Sequence, residues 1–451
     1  MERKRSALLI NPPVYDVQYW AHWSPPHGLL RIGTYLKQKG YKTKLIDCLA
    51  TDEERTVKMK KQSIIKICSN EEWVPSSWNI KLHNDERVKF CFGKDMNQLE
   101  KEFKNINESH DTLFPDEIWI TSIMTYWWES TRDVIGLCKR YFPNAKIRVG
   151  GIYPTVAPEH AVKKLGLRDP LLLKGNQFDI FKTEHMNVDV IVTGEIPDAS
   201  DLDLDLNLYK EGDYAFPKYT ILTTSRGCPH DCAYCASTMI NGGRKVRLRS
   251  ADLVIEEIRT KHVQGIREFC FYEDNILMGR DNLMEILTCI IEDSELKHIE
   301  LHAPEGVEIR LLTPELLKLM RIAGFKKIYL PLETICWDMN KLWNRNFYDL
   351  KSFERAVKMC HEAGFGVKPQ ELNVFVLFGL PGEDLQYVYD TAVYAANQTG
   401  SVIPMLFTPV PGTKLYESYE DYFNEQDFDF QHLNGKLLPM LEYNHRQMRH
   451  K

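Results

Sequence analysis

Apolar and polar positions along the chain fall into two recurring patterns. Short β-branched or leucine-rich runs stand at 7–11 (ALLIN), 43–47 (TKLID), 117–123 (EIWITSI), 146–150 (KIRVG) and 189–194 (DVIVTG). Stretches with helical spacing lie between some of them, such as GLLRIGTYLKQKG at 28–40 and STRDVIGLCKRYF at 130–142. Buried strands alternating with amphipathic helices predict an α/β fold with a parallel, doubly wound sheet over residues 1–200. The segment 49–116 breaks the rhythm. It is charged, irregular and poor in strand signal, and is expected to be an insertion or lid.

A second series of strand candidates follows at 219–225, 268–274, 298–304, 327–333, 372–379 and 403–409. Helical segments such as 251–263 and 313–324 separate them, with cap signals at Thr313 and Gly324. Six βα units in a row predict a partial (β/α)6 barrel over 215–416, with its chemistry just beyond the strand C-termini. Each of those ends carries acids, glycines or prolines. The acidic, turn-rich stretch 197–214 is expected to be a linker or surface loop, and 417–451 a short C-terminal extension.

Composition narrows the class. With 43% hydrophobic and 27% charged residues, the 451-residue chain has a globular composition and the length of two domains. A formal charge of −6 argues against a nucleic-acid coat, and no apolar run is long enough to span a bilayer. The opening MERKRSALLINPPVYD has no cleavage site, so a cytoplasmic protein with reduced cysteines is expected.

Three of the eleven cysteines, Cys228, Cys232 and Cys235, fall within RGCPHDCAYCAS at 226–237. That spacing arises by chance roughly 0.006 times per chain, which favours metal or redox use. The other eight are expected to be mostly small buried hydrophobes. Gly227 and Pro229 break a helix there and favour a loop after the first barrel strand. A closed zinc site takes four ligands, usually as two separated pairs, and no second pair is present; His230 is an awkward fourth ligand. An iron–sulfur cubane takes one thiolate per iron, so three leave one iron open to substrate or cofactor.

Cys-x3-Cys-x-Tyr-Cys after the first strand of a βα barrel resembles the radical S-adenosylmethionine superfamily, and the likeness runs over 218–416. It implies a [4Fe-4S] cluster on Cys228, Cys232 and Cys235, with S-adenosylmethionine chelating the vacant iron. Reductive cleavage then yields a 5′-deoxyadenosyl radical that takes a hydrogen atom from substrate. Tyr234 resembles the aromatic lying against the adenine. FYEDN at 271–275 occupies the place of a Gly-Gly-Glu-like motif that holds the methionine amino group. It lacks the two glycines, and one of Tyr272, Glu273 and Asp274 would make that contact. Glu333 matches an acidic residue ending the fourth strand, with a salt bridge to a nearby arginine as the structural alternative. VFVLFGLPGED resembles the fifth-strand motif whose backbone meets the adenine, with Gly379 and Gly382 allowing close approach.

LLINPP, SPPHGLLRIGTYLKQKGYKTKLID, TSIMTYWWEST, IRVGGIYPTVAPEHA and DVIVTGE together resemble the cobalamin-binding domain that precedes many radical S-adenosylmethionine enzymes. The likeness assigns cobalamin to the strand ends, at Asn11, Pro12, Ser122, Thr125, Tyr126, Gly150, Gly151, Gly194 and Glu195. The cobalt-ligating Asp-x-His-x-x-Gly motif is absent, and His27 is expected to be a hydrogen-bonding loop histidine. The family likeness therefore implies a cobalamin-dependent radical enzyme that methylates an unactivated carbon of a small molecule or lipid. A flavodoxin- or ferredoxin-like protein would supply its electrons. A radical cyclase, oxidase or rearrangement enzyme is the alternative, and a zinc-stabilised binding protein the alternative outside enzymes.

Overall fold

A computed structural model of the chain describes residues 5–17, 24–50, 60–66, 86–108, 114–183, 185–345, 349–380, 383–425 and 428–437. The described residues form two compact units. One runs to Pro217 and includes Val410–Gly412 and Tyr419–Leu437; the other is Lys218–Pro409 with Thr413–Ser418.

The strands of the first unit are β1 (Ser6–Asn11), β2 (Val14–Asp16), β3 (Lys42–Asp47), β4 (Lys60–Lys66), β5 (Glu86–Phe92), β6 (Glu117–Thr121), β7 (Lys146–Gly150), β8 (Leu171–Lys174) and β9 (Val190–Thr193). Six of them make one sheet in the order β3-β1-β6-β7-β9-β8, parallel throughout. β1 is buried at every position, as its uninterrupted apolar run requires of an interior parallel strand. From β1 the chain goes to β3 on one side and later to β6 on the other, so the strand order reverses between β1 and β6. The helices His27–Gln38 and Trp128–Tyr141 bury one apolar face each, Leu29, Leu30, Tyr35 and Leu36 in the first and Val134, Ile135, Leu137 and Cys138 in the second.

Three expectations need correction here. The segment 49–116 is not irregular throughout: β4 and β5 pair antiparallel, β5 also pairs with β2, and Met96–Glu108 is a helix burying Leu99, Phe103 and Ile106. The strand signal is weak because KKQSIIK is mostly polar and Arg87 and Lys89 break the apolar residues of ERVKFCF. The stretch 197–214 is packed rather than a linker. Leu204, Leu206 and Leu208 alternate with polar residues and are buried, and the Tyr209 hydroxyl donates to Asp47 at 2.8 Å. Residues 419–437 belong to the first unit rather than to a separate extension. Asp429 meets His160 at 3.0 Å and Lys164 at 3.1 Å, the His160 ring stacks on Phe430 at 3.9 Å, and Asn434 and Lys436 reach the buried Asp16.

The second unit has β10 (Tyr219–Leu222), β11 (Ser225–Arg226), β12 (Arg247–Leu248), β13 (Glu268–Phe271), β14 (Glu300–His302), β15 (Ile328–Glu333), β16 (Leu372–Phe378) and β17 (Val402–Leu406). β10-β13-β14 and β15-β16-β17 are parallel, and β11-β12 is a short antiparallel pair. An isolated parallel bridge, Leu301 to Phe325, and the Val307 N–H to Tyr329 carbonyl bond at 3.0 Å link the two three-stranded sets. Helices Ala251–Val263, Arg280–Glu292, Pro314–Ala323, Leu350–Glu362 and Leu385–Thr399 lie between strands. Thr313 caps its helix by accepting from the Leu316 N–H at 3.2 Å, and Gly324 ends it at φ 117°. Among the remaining cysteines Cys48, Cys91, Cys138 and Cys360 are buried, Cys270, Cys289 and Cys336 are half-buried, and Cys68 lies outside the described residues. No described helix is long and apolar enough to cross a membrane.

Candidate active site

The cysteine loop begins where β10 ends, and its first turn depends on glycine. Gly227 sits at φ 89°, and a Cβ there would stand 2.5 Å from the Lys245 carbonyl oxygen of the segment entering β12. The loop's start is held from β13. Glu273, buried at the end of that strand, accepts from the Thr224 N–H at 2.5 Å, the Thr224 hydroxyl at 3.1 Å, the Ser225 N–H at 3.0 Å and the Ser225 hydroxyl. Burial pushes its carboxyl up, and these four bonds oppose the shift. Asp274, the next residue, accepts from the Gly227 N–H at 2.9 Å and from Asn241 at 3.0 Å.

The three thiols influence one another electrostatically, as neighbours around one centre do. Burial raises all of them, Cys232 to about 12. At Cys228 the bonds from the His230 N–H and the Asn275 side chain oppose that rise, and at Cys235 the Ser237 N–H does so from 3.5 Å. Cys235 is exposed, and the protein around it still raises its thiol. Among the described residues no three His, Cys, Asp or Glu side chains converge closely enough to hold a single metal ion. A four-iron cluster asks for something else, each thiolate on a separate iron with amide donors near the sulfurs. This loop fits that requirement.

His230 does not point to a fourth ligand. Its Nε2 lies 2.8 Å from Glu308, which also accepts from Asn275 at 2.8 Å and from Arg310. Burial raises the Glu308 carboxyl, but these hydrogen bonds and the charges of His230 and Arg310 bring it below its ordinary value. Glu305, exposed on the same rim, has its carboxyl raised by the surrounding protein and then by Asp274.

Tyr234 is tied to Glu333 through a residue that sequence reasoning missed. Arg345 donates to the Tyr234 hydroxyl at 2.5 Å, to Glu333 at 3.2 Å and to the Pro331 carbonyl at 2.9 Å. Glu333 sits at φ 64° where the β15–β16 register slips, and burial raises its carboxyl against the pull of Arg345. Arg345 lies in a turn with no periodicity or motif to single it out. At the end of β16, Gly379 has φ 89° and donates to the buried Glu383 at 2.7 Å. Gly382 lies outside the described residues. Tyr272 is exposed beside the rim.

In the first unit the strand-end residues gather along one sheet edge, because β1, β6, β7 and β9 are neighbours and run parallel. Several are already engaged. Asn11 donates to Asp47 at 2.7 Å, Ser122 shares a 2.8 Å bond with Thr131, and Gly194 donates to Thr155 at 2.8 Å. Pro12, Thr125 and Tyr126 are buried, and Glu195 is half-buried. Burial and the Asp16 charge raise the Tyr126 phenol. Gly151 has φ 114° and no room for a Cβ, which would fall 2.3 Å from the Ser122 carbonyl oxygen; at Gly150 the nearest atom would be 3.8 Å away. His27 accepts from Arg31 at 3.1 Å.

A six-strand βα unit opening on a three-cysteine loop defines a radical-cluster type of domain. Residues 222–395 match the family model of the Radical SAM superfamily, and the chain carries a radical S-adenosylmethionine domain of that superfamily. An uncharacterized methyltransferase of Pyrococcus horikoshii is 25% identical over 49% of this chain and 46% of its own length. The bacteriochlorophyllide d C-12(1)-methyltransferase of Chlorobaculum tepidum is 25% identical over 46% of this chain and 44% of its own. The matched part is thus under half the length of these relatives. The fold resembles that of the radical S-adenosylmethionine methyltransferase TsrM from Kitasatospora setae, solved with cobalamin and a [4Fe-4S] cluster bound. That likeness has a TM-score of 0.65 at 16% identity and covers 93% of this chain and 78% of that one.

Proposed function

We propose that the protein is a cobalamin-dependent radical S-adenosylmethionine methyltransferase acting on an unactivated carbon of a small-molecule or lipid substrate. The observation that carries the proposal is the pairing, in one chain, of the three-cysteine loop with a parallel sheet whose four neighbouring strand ends bear Asn11-Pro12, Ser122 to Tyr126, Gly150-Gly151 and Gly194-Glu195. Methyltransferases among the relatives support it. When bound, the cluster and S-adenosylmethionine supply a carbon-centred radical, and cobalamin supplies a transferable methyl group.

The chain's own residues divide the remaining work. Cys228, Cys232 and Cys235 hold the cluster. Tyr234, Tyr272, Asp274, Glu333, Gly379 and Gly382 are assigned to S-adenosylmethionine. Glu273 is reassigned to shaping the loop, because both its oxygens are occupied there. The first-unit edge at Gly150, Gly151, Gly194 and Glu195, with Asn11, Pro12, Ser122, Thr125 and Tyr126 at the neighbouring strand ends, is assigned to cobalamin. An external flavodoxin- or ferredoxin-like protein delivers electrons in the cytoplasm.

Anaerobic reconstitution with iron, sulfide and cobalamin tests this. About four irons, bound cobalamin and, with S-adenosylmethionine and reductant, both 5′-deoxyadenosine and S-adenosylhomocysteine are expected. Deoxyadenosine without S-adenosylhomocysteine would move the assignment to a radical reaction without methyl transfer. One zinc and no sulfide would overturn both.

A further inference from the structure

Three consecutive residues outside the cysteine motif grip it. Trp343 follows the short helix Trp337–Leu342, and its carbonyl accepts from the Ala233 N–H at 2.9 Å. Asn344, at φ 56°, donates from its side chain to the Asp231 carbonyl at 2.8 Å. Arg345 donates to the Tyr234 hydroxyl, and the Tyr234 ring meets Trp343 edge-on at 6.1 Å. The turn 343–345 therefore holds residues 231, 233 and 234, the stretch that fixes Cys232 relative to Cys235.

Arg345 differs from its two neighbours in carrying a buried charge. It is 5% exposed and anchored on β15 through the Pro331 carbonyl and the Glu333 carboxylate. Desolvating a guanidinium costs several kcal/mol, and a carbonyl and a phenol offset that less well than a second carboxylate. Through the Tyr234 hydroxyl the Arg345 guanidinium is held against the residue that stands two positions after Cys232 and directly before Cys235. Two carboxylates also hold the loop, Asp274 through the Gly227 N–H and Glu308 through the His230 ring.

Adding one electron to a cluster held by three thiolates adds negative charge to an already anionic centre. A fixed cation in a low-dielectric surrounding favours that reduced state. We propose that Arg345 is a positioning residue for the cluster: it holds the Tyr234 turn between two ligands and keeps a positive charge beside Cys232 that raises the cluster's reduction potential. This rests on the assignment of the cluster to the three cysteines. No bond is made or broken in the step concerned, which is the transfer of one electron from an external one-electron donor to the oxidised cluster.

The test is a dye-mediated potentiometric titration of full-length, anaerobically reconstituted protein without S-adenosylmethionine, read by the paramagnetic signal of the reduced cluster at pH 8. Arg345→Gln is expected to lower the reduced-to-oxidised ratio at a fixed potential about tenfold, about 59 mV for one electron, while Arg345→Lys stays within about threefold of wild type. Glu333→Gln, which removes the opposing carboxylate and leaves Arg345, moves the potential the other way. It also serves if Arg345→Gln takes up too little iron to titrate. An unshifted Gln variant, equal shifts for Gln and Lys, or a Glu333→Gln that is unshifted or moves the same way as Arg345→Gln overturns the proposal. Wild-type protein that takes up no iron overturns the cluster assignment instead, and is seen before any variant is made.

Discussion

Replacing Glu273 with alanine removes the acceptor for two main-chain N–H groups and two hydroxyls at the root of the cysteine loop. The hydroxyls of Thr224 and Ser225 can turn to other acceptors, but the two N–H groups are fixed by the backbone. A buried donor left unsatisfied costs about 1–3 kcal/mol, so the pair costs about 2–6 kcal/mol. Removing a carboxylate whose burial already raises its pKa returns part of this, and about 2–4 kcal/mol of local stability is the expected loss. Hydrogen exchange reads such local opening directly. Each 1.4 kcal/mol is tenfold, so the Thr224 and Ser225 amides should exchange about 30- to 700-fold faster, with peptides of the helix Pro314–Ala323 unchanged. Glu273→Gln keeps one carbonyl acceptor and turns the other into a donor, and should fall between. Exchange of residues 223–227 within about threefold of wild type in the alanine variant would refute the idea that Glu273 braces the loop.

Further expectations concern both units. Burial pushes the Glu383 carboxyl up to about 7 against hydrogen bonds from the Gly379 and Leu380 N–H groups. Its contribution to stability is therefore fullest below its unfolded value and is lost as pH rises to and through 7; Glu383→Gln should remove a slope of up to about 1.4 kcal/mol per pH unit from unfolding free energies by urea titration between pH 5 and about 7. Gly151→Ala must strain a left-handed backbone and strike the Ser122 carbonyl, costing at least about 1–3 kcal/mol, while Gly150→Ala meets nothing closer than 3.8 Å and should cost under about 1 kcal/mol by the same urea titration. Arg148 and Glu117 form a buried pair at 3.2 Å, so Glu117→Leu alone should cost about 3–5 kcal/mol in thermal or urea melts and Arg148→Met placed with it should recover most of that.

Eleven strand candidates read from the apolar pattern correspond to β1, β3, β6, β7, β9, β10, β13, β14, β15, β16 and β17. They were legible because an interior parallel strand is apolar on both faces and its pattern survives in a single short window. β4 escaped because it is mostly polar, and β5 because Arg87 and Lys89 interrupt its apolar residues. The 197–214 stretch misled for a related reason: its aspartates suggested solvent, while the leucines at every second position were the ones that packed.

The cysteine loop was complete in the sequence, since all three ligands and the glycine that lets the chain turn lie within nine residues and depend only on local backbone geometry. Its bracing was not. Glu273 reaches back 49 residues to Thr224, Arg345 reaches 111 residues to Tyr234, and Asp429 reaches 269 residues to His160. A periodic pattern records which residues are buried. It carries no information about which buried charge meets which partner, because that depends on loop closures and strand order settled only as the sheets assemble. Local sequence thus determined the elements and the cluster-binding motif, and tertiary structure alone decided which charges surround it.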